Sequence, residues 1–288
     1  MKILITGGAG FIGSHLCERL TIDKNNNIYS LDNYSSGRVN NHISGVEYIE
    51  GHTKDIDEII DFIPDIVYHL GEYSRVEQSF VDIEKVWEYN KEGTFAILQF
   101  CIKTKAKLIY AGSSTKFADK GCGPNQSPYA WSKSTNTQLV KNYGDWFGLE
   151  YAITYFYNVY GGREIASGKY ATLIALFKSK VENNEILTVV SPGTQKRNFT
   201  HVDDIVSGLI LVGDKGIGDG YGIGCKDSYS VLDIAKLFGA KIEMIPERAG
   251  NRMSGDVLIE KLEKLGWNHT KSIVDYIENF KNNRNKDE

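Results

Sequence analysis

The sequence predicts an α/β protein whose core is a doubly wound parallel sheet. Short apolar runs rich in β-branched residues alternate with longer segments of helical periodicity over the first two-thirds of the chain. A glycine-rich turn joins the first apolar run to the first helical segment at residues 7–13. Strands that alternate with helices favour a parallel sheet covered on both faces, because each crossover must travel back along the sheet.

Six strands and four helices are predicted in this alternating region. The strands are Lys2–Thr6, Ile28–Asp32, Val46–Glu50, Ile66–Leu70, Lys107–Gly112 and Glu150–Phe156. The helices are Ile12–Leu20, Asp57–Phe62, Lys85–Lys103 and Ala130–Phe147. The strands are apolar along most of their length, which is typical of strands buried on both faces.

The alternation weakens after residue 157, which predicts a smaller C-terminal lobe. Helices are expected at Thr172–Asn183, Val202–Val212 and Val231–Phe238, with a turn-rich stretch at Ser191–Arg197. We therefore divide the chain into a first domain, residues 1–157, and a lobe, residues 158–288, from which the chain can cross back to the sheet. The polar tail Lys281–Glu288 is expected to fray.

Composition and charge are those of an ordinary globular protein. Hydrophobic residues make up 41% of the chain, charged residues 24%, and the net charge is −4. No basic run indicates a nucleic acid or a membrane surface, and no apolar run approaches the ~18 residues of a membrane span. Cys17, Cys101, Cys122 and Cys225 are scattered, so neither a disulfide framework nor a metal site is expected. These features favour a cytoplasmic protein.

The glycine-rich turn predicts a dinucleotide site. The segment KILITGGAGFIGSH has a G-x-x-G-x-x-G pattern at Gly7, Gly10 and Gly13, between a strand and a helix. Glycines allow the backbone to approach a pyrophosphate, whose charge faces the helix N-terminus. The second strand ends in Asp32, 19 residues after Gly13, where a carboxylate accepts the adenosine ribose hydroxyls. A Rossmann-type domain that prefers NAD to NADP is therefore predicted, although the nearby Arg38 could weaken that preference.

A second motif predicts proton-transfer chemistry. Tyr129 and Lys133 are four residues apart in SPYAWSKS, so they share one face of a helix. A nearby ammonium favours the tyrosinate, which can remove a proton from a sugar hydroxyl while hydride leaves the same carbon. The strand Lys107–Gly112 leads into Ser113, at the edge of the sheet where ligands bind.

In combination these motifs resemble the extended short-chain dehydrogenase/reductase family, specifically its NAD-dependent nucleotide-sugar epimerases and dehydratases. The resemblance covers nearly the whole chain. Its markers, in order, are GGAGFIG, DNYSSG, the HL of HLGEYS, NKEGT, SST, YAWSK, YNVYGGR, QKRNFTHVDD, YGIG and LGW.

The resemblance implies a role for each matched residue. Ser113 binds the reacting oxygen of the sugar, Tyr129 is the base, and Lys133 binds the ribose and activates the tyrosine. The implied NAD-binding residues are Gly7, Gly10, Phe11, Ile12, Gly13, Asp32, Asn33, Ser36, Leu70, Gly71, Asn90, Tyr129 and Lys133. The sugar diphosphate is assigned to Asn158, Arg197 and Arg248, and the arginine fork suits phosphate oxygens.

The resemblance also bears on the reaction. Related dehydratases place Asp-Glu directly after the catalytic hydroxyl residue, whereas Ser114 and Thr115 follow Ser113 here. Without that acid the 4-keto intermediate is expected to rotate and take hydride back on its other face, which is 4-epimerisation. The alternatives are a nucleotide-sugar 4-oxidase, a 4-keto reductase, a 4,6-dehydratase, and a silent dinucleotide sensor. A UDP-hexose or UDP-N-acetylhexosamine, polysaccharide supply and a homodimer are further expectations.

Several positions depart from the family pattern. His52 replaces an aspartate that recognises adenine, Gly71-Glu72 replaces a small pair beside the nicotinamide, and Gly162 replaces a proline. Only 15 residues, 114–128, separate Ser113 from Tyr129, which suggests an altered sugar pocket.

Two further sets of residues lead to open hypotheses. Glu72, Tyr73 and Arg75 form either a solvated loop or a sugar contact, or they supply a further acid or base. Ser254 or Gly255 falls where a large residue excludes N-acetyl sugars, so a pocket that accepts N-acetylhexosamines is predicted.

Overall fold

The structure is a computed structural model that describes residues 1–117, 123–247, 253 and 257–287, with side chains up to residue 284. In chain order its strands are β1 Lys2–Thr6, β2 Asn27–Asp32, β3 Val46–Glu50, β4 Ile66–His69, β5 Lys107–Ser113, β6 Tyr151–Phe156, β7 Val159–Tyr160, β8 Leu187–Val190, β9 Lys196–Arg197, β10 Thr200–His201, β11 Gly218–Ile223, β12 Tyr229–Ser230 and β13 Ile242–Ile245. Its α-helices are α1 Phe11–Leu20, α2 Ile56–Ile59, α3 Ile83–Val86, α4 Gly93–Thr104, α5 Pro128–Phe147, α6 Leu173–Glu182, α7 Val202–Lys215, α8 Val231–Leu237, α9 Glu260–Glu263 and α10 Ile273–Asp287.

The central sheet has seven parallel strands in the order β3-β2-β1-β4-β5-β6-β11. From the centre of the sheet, β1, β2 and β3 follow one another toward one edge. The chain then returns to the centre, and β4, β5 and β6 follow one another toward the other edge. The strand order therefore reverses between β1 and β4, and a doubly wound sheet binds ligands outside the carboxyl ends at that point. The predicted fold class is confirmed, and the six predicted strands occur within one residue of their expected bounds.

Helices cover both faces of the sheet, because the buried side chains of each strand alternate between the faces. Ile3 and Ile5 of β1 pack with α1 and α7 in one core cluster. Leu4, between them, packs with α4 and α5 in the other. The predicted helix Lys85–Lys103 is realised as α3, a π-helical segment Trp87–Glu92, and α4. The predicted helix Asp57–Phe62 is shorter than expected and ends at Ile59, five residues before Pro64.

A second layer follows β6. The helices α6, α8 and α10 surround the parallel pair β8–β13 and form a separate core cluster with Phe177, Phe238 and Ile277. The chain also crosses back, since β11 pairs with β6 at the edge of the central sheet. The prediction that the tail frays is wrong for residues 281–287, which continue α10. The apolar side of α10, which includes Ile273 and Phe280, packs into the cluster and supports that helix.

Within residues 1–117, 123–247 and 257–287, no helix combines the length and the apolarity that crossing a bilayer requires.

Candidate active site

A cavity of about 690 Å³ opens at the carboxyl ends of the central strands. Its wall combines the loops after β1, β2, β4, β5 and β6 with residues of the C-terminal part of the chain. Fifteen of the predicted site residues line it: Gly7, Gly10, Phe11, Ile12, Gly13, Asp32, Asn33, Ser36, Leu70, Gly71, Ser113, Tyr129, Lys133, Asn158 and Arg197. The structure thus brings together residues that are up to 190 positions apart, Gly7 and Arg197.

The glycine loop leaves no room for side chains. Gly7 has φ +75°, and a Cβ atom there would lie 2.9 Å from the Gly71 Cα atom. A Cβ atom on Gly13 would lie 2.1 Å from the carbonyl oxygen of Gly7. The helix α1 begins after Gly10, which provides no side-chain cap for the first N–H groups. A close backbone turn that leads into an uncapped helix N-terminus fits a pyrophosphate.

Asp32, the last residue of β2, lies beside this loop and is the residue predicted to bind the adenosine ribose. Its Oδ2 atom accepts a hydrogen bond of 2.9 Å from the Ala9 N–H, and its Oδ1 atom accepts one of 2.9 Å from the Tyr34 N–H. Burial raises the pKa of the Asp32 carboxyl, and these two hydrogen bonds oppose the shift. A carboxylate retains lone pairs beyond those two bonds. The residue is therefore held in place and still able to accept ribose hydroxyls, as NAD requires.

His52, which departs from the family pattern, takes part in local structure. Its Nδ1 atom accepts a hydrogen bond of 3.1 Å from the Lys54 N–H and so caps the short turn Thr53–Asp55. Its ring lies edge-on to Tyr89, 4.8 Å between centroids. Burial lowers the pKa of His52, so the neutral ring is favoured at this position.

The two predicted catalytic hydroxyls are in contact. Ser113 is the last residue of β5, and Tyr129 is the second residue of α5. The Tyr129 hydroxyl donates a hydrogen bond of 3.2 Å to the Ser113 Oγ atom. The start of α5 is well defined, because Ser127 caps it by accepting a bond of 3.1 Å from the Ala130 N–H and Pro128 occupies its first turn. The cap fixes the position of Tyr129 relative to the end of β5.

Lys133 lies one helical turn after Tyr129, and its ammonium group is buried. It donates hydrogen bonds to the Ala111 carbonyl oxygen and to Oε2 of Glu72. The Lys133 and Glu72 side chains are only 5% and 3% exposed. Burial lowers the pKa of Lys133, and the Glu72 carboxylate opposes that shift. The sequence predicted a lysine that binds the ribose and activates Tyr129, and the structure adds a buried ion pair with Glu72.

The second oxygen of Glu72 is also fully engaged. Oε1 accepts hydrogen bonds from the Thr94 hydroxyl at 2.9 Å, the Tyr110 hydroxyl at 3.1 Å and the Asn136 amide at 3.2 Å. Sequence reasoning singled out Glu72 but missed this network. The available signal was a carboxylate placed just after a buried strand, at the carboxyl edge of the sheet. The partners come from α4, β5 and α5, which no local pattern connects.

Arg75 reaches the cavity from the loop after β4. Its Nε atom donates a hydrogen bond of 3.0 Å to the Tyr170 carbonyl oxygen, and Nη1 donates to the carbonyl and hydroxyl oxygens of Ser74. Burial lowers the pKa of the Arg75 guanidinium, and the nearby Tyr129 opposes this shift. The residue joins two loops of the wall and places positive charge near Tyr129.

Asn90 is buried and is not among the residues that line the cavity. Its amide exchanges hydrogen bonds of 2.7 and 3.1 Å with the backbone of Tyr73 and donates one of 2.9 Å to Ser132. It thus holds the loop that lines the cavity.

The remaining predicted substrate residues are only partly described. Asn158 has φ +36° and donates a hydrogen bond of 3.2 Å to the Asn198 carbonyl oxygen. Arg197, in β9, lines the same cavity. Arg248 and the pair Ser254 and Gly255 lie outside the described residues.

Known proteins are similar to this chain in sequence and in fold. A putative UDP-glucose 4-epimerase of Methanocaldococcus jannaschii is 32% identical over 283 residues, which cover 92% of each chain. A dTDP-D-glucose 4,6-dehydratase of Dictyostelium discoideum is 33% identical over 267 residues, 82% of this chain and 61% of that protein. A crystal structure of UDP-glucose 4-epimerase with UDP-glucose, from Thermotoga maritima, superimposes with a TM-score of 0.91 at 25% identity and covers all of both chains.

The family model described as "NAD dependent epimerase/dehydratase family" matches residues 3–224. The match confirms the predicted family resemblance and, because the family is NAD dependent, the predicted cofactor. The glycine cradle and Asp32 fit that cofactor on geometric grounds as well. The chain belongs to the NAD-dependent epimerase/dehydratase family.

Proposed function

We propose that this protein is a nucleotide-sugar 4-epimerase. The observation that carries the proposal is the contact between the Tyr129 and Ser113 hydroxyls, 3.2 Å apart, with only hydroxyl residues directly after Ser113. That arrangement supports proton transfer at one sugar hydroxyl and offers no adjacent acid for an elimination.

The chain's own residues supply the proton chemistry. The glycine loop and Asp32 would hold NAD, which would supply a reversible hydride acceptor for sugar carbon 4. Tyr129 removes the proton from the hydroxyl on that carbon, and Ser113 holds the oxygen by a hydrogen bond. After the sugar has rotated, the hydride would return to the opposite face of carbon 4, and the Tyr129 phenol returns its proton to the oxygen on that carbon. Lys133, one turn along the same helix face, supplies positive charge beside the base.

Three carboxylates line the described part of the cavity, and two of them are already committed. Asp32 is held by two backbone N–H groups, and Glu72 accepts hydrogen bonds from four side chains. Thr115, two residues after Ser113, exchanges a hydrogen bond of 2.9 Å with it. These contacts favour epimerisation, since neither committed acid is available to expel water or carbon dioxide from the sugar.

A 4,6-dehydratase is the second candidate, and one observation favours it. The exposed Glu77, in the turn Glu77–Phe80, contributes the third carboxylate to the cavity wall. A dehydratase needs such an acid near carbons 5 and 6, and one matched relative is named as a dehydratase.

Product analysis distinguishes these reactions. Purified protein with NAD is incubated separately with UDP-glucose, UDP-N-acetylglucosamine and GDP-mannose, and the sugars are identified by NMR. The proposal expects the 4-epimer without net NADH. A 4-keto-6-deoxy sugar would instead establish the dehydratase, and net NADH an oxidase. The Tyr129→Phe variant is the control for contaminating activity.

The residues that line the cavity support a nucleotide-sugar substrate. We assign the diphosphate to Asn158 and Arg197, because a guanidinium matches phosphate oxygens in charge and geometry. The prediction that N-acetylhexosamines are accepted stands on Ser254 or Gly255. Turnover of UDP-glucose without any turnover of UDP-N-acetylglucosamine would contradict it.

We also propose that the protein forms a homodimer through α4 and α5. Large apolar side chains are exposed on these helices and on the segment before α4: Ile83, Trp87, Phe95, Trp131, Trp146 and Phe147. Exposed apolar patches of this kind mark contact surfaces. Light scattering of the wild type and of Trp131→Lys tests this, with a monomeric wild type as the contradicting result.

A further inference from the structure

A chain of hydrogen bonds runs from the end of β1 to the Glu72 carboxylate. The Thr6 Oγ1 atom accepts from the Leu70 and Gly71 N–H groups and contacts the His69 Nδ1 atom at 2.8 Å. The His69 Nε2 atom contacts the Thr94 Oγ1 atom at 3.2 Å. The Thr94 hydroxyl donates to Glu72, so it must accept from His69. Each donor in the chain points toward Glu72.

His69 keeps this direction fixed. Burial lowers its pKa to about 4, so the ring is neutral and carries its single proton on Nε2, facing Thr94. Four donors therefore converge on Glu72: the ammonium of Lys133, two hydroxyls and one amide. An ionised carboxylate offers lone pairs on both oxygens to these donors, whereas a carboxylic acid would place an O–H donor among them. The surroundings are built for an ionised Glu72.

We propose that Glu72 is a positioning residue that fixes the Lys133 ammonium and offsets its positive charge at Tyr129, so that the catalytic tyrosine ionises at a higher pH than a lone lysine would allow. This inference depends on the proposed function for the assignment of Tyr129 as the base. It adds a role for Glu72, at a position where the family pattern has a small residue.

The geometry of Lys133 supports both parts of the proposal. An ammonium has three N–H groups, and Glu72 and the Ala111 carbonyl oxygen take two of them. Within the part of the chain that the structure describes, one N–H group is left for the cofactor ribose. The centroid of the Tyr110 ring lies 4.5 Å from the Lys133 Nζ atom, so the ring covers another side of the ammonium group. Lys133 is therefore held in one orientation before any ligand binds.

Other charged and titratable groups also face this region from each neighbouring element. They are His69 of β4, Tyr110 of β5, Lys91 of the π-helical segment, and Arg75, Tyr73 and Tyr170 of the surrounding loops. His69 is neutral, and the Lys91 Nζ atom is bound to the Thr135 and Asn136 side chains. Among these groups Arg75 is the cation that interacts with Tyr129, and its charge is present in the wild type and in the Glu72 variants alike.

Coulomb's law gives the direction in which the ionisation of Tyr129 moves when the Glu72 charge is removed. A positive charge near Tyr129 favours the phenolate, and a negative charge beside it reverses part of that effect. Removal of the Glu72 charge leaves an unopposed ammonium, so the phenolate forms at lower pH. One charge removed at a distance of several ångströms, at an effective dielectric constant near 20, shifts the transition by roughly one to two pH units.

The test compares Glu72→Gln with the wild type, both with NAD. In each protein the rise of kcat/KM with pH is measured, and so is the tyrosinate absorbance after subtraction of the matching Tyr129→Phe protein. We expect both transitions to move to lower pH by about one unit or more in Glu72→Gln. Glu72→Asp, which keeps the charge, is expected to restore the wild-type position. Glu72→Met provides the same test if Glu72→Gln does not fold.

Two control variants separate charge from packing. Tyr110→Phe removes one hydrogen bond to Glu72 and keeps both the carboxylate and the ring beside Lys133, so its transition should stay in place. Glu150→Gln removes a carboxylate that lies 3.6 Å from Lys107, at the opposite end of β5 from Ser113. It should change neither the transition nor the activity.

The outcomes are distinct. Transitions that stay in place in both Glu72→Gln and Glu72→Met would overturn the proposal, even if activity falls. An equal shift in Tyr110→Phe would also overturn it, since packing would then be the cause. If no nucleotide sugar is turned over, the proposed function fails, and the absorbance transition alone still decides the role of Glu72.

Discussion

The Lys133 ammonium and the Glu72 carboxylate form an ion pair inside the cavity wall. Lys133 lies on the same face of α5 as Tyr129. Two buried charges are stable in a protein only when they are paired and further hydrogen-bonded, and both conditions are met here. Removal of one partner from such a pair typically costs about 3–5 kcal/mol, because the other charge is left buried. The pair is therefore both a structural element and a part of the proposed active site.

Tyr129→Phe should reduce kcat by about 10²–10⁴-fold, which is the usual contribution of a general acid–base group. The phenyl ring should still pack with Tyr73 and Val86, so folding and NAD binding should persist. Steady-state rates and calorimetric NAD titration measure the two effects. Tyr151→Phe, at the opposite end of the sheet, is the matched control. An active Tyr129→Phe protein would remove Tyr129 as the base.

NAD affinity should fall as the solution is acidified, at a pH above the ordinary aspartate value of about 3.9. The reason is that burial raises the pKa of Asp32, so this acceptor protonates early. In the absence of NAD, the same raised pKa affects the stability of the folded state in the opposite direction with pH. A raised carboxyl pKa means that the folded state binds the proton more tightly, so this group's contribution to stability is lost as the pH rises through the folded pKa.

Calorimetry at a series of pH values measures this dependence on NAD. In Asp32→Asn the affinity should be weaker and nearly independent of pH over the same range. A wild-type affinity that stays constant down to pH ~4 would contradict the assignment of Asp32.

Gly13→Ala should destabilise the protein by more than about 2 kcal/mol and abolish NAD binding. Its new methyl group would lie 2.1 Å from the Gly7 carbonyl oxygen, and this backbone cannot move without opening the loop. At Gly162 a methyl group would meet only His15, at 3.8 Å, so Gly162→Ala should stay within about 0.5 kcal/mol. Denaturant unfolding compares the two, and equal losses would contradict the close packing of the loop.

Ile277→Ala should destabilise the protein by about 2–5 kcal/mol, because α10 packs its apolar side into the C-terminal core. Ile277 is 1% exposed, whereas Ile22 is 66% exposed, and Ile22→Ala should be nearly neutral. Thermal melting measures the difference. A neutral Ile277→Ala would contradict the packing of α10 into this core.

The parts of the fold that could be predicted from sequence are those with a local physical signature. The strands β1 to β6 are short runs rich in apolar residues. Ser127 and Pro128 mark the start of α5, within two residues of its predicted bound. These same elements position Ser113, Tyr129 and Lys133. These three residues could therefore be placed together at the carboxyl ends of the strands from sequence, and their proposed roles come from the family resemblance.

The strand β11 could not be found in this way. Its sequence, GDGYGI, is rich in glycine and lacks the apolar run of a central strand. It forms a strand because it pairs with β6. Its glycines allow other segments to pack closely against it, since a Cβ atom on Gly222 would lie 2.0 Å from the Leu258 carbonyl oxygen. Only the tertiary structure brings these segments together.

The helix α10 was missed for a different reason. Its last turns are polar, and the prediction gave weight to that polarity. The apolar residues Ile273, Ile277 and Phe280 are spaced by four and three, which is the helical pattern that carries the segment onto the core. The hydrogen-bond network of Glu72 could not be predicted from sequence, because its partners Thr94, Tyr110 and Asn136 come from three separate elements.

The central claim is that hydride leaves sugar carbon 4 and returns to it within one active site. The most direct test uses UDP-glucose deuterated at carbon 4, with the products analysed by NMR and mass spectrometry. The proposed 4-epimerase should give UDP-galactose with deuterium retained at carbon 4 and no net NADH. Deuterium recovered at carbon 6, in free NADH or in solvent would contradict the account.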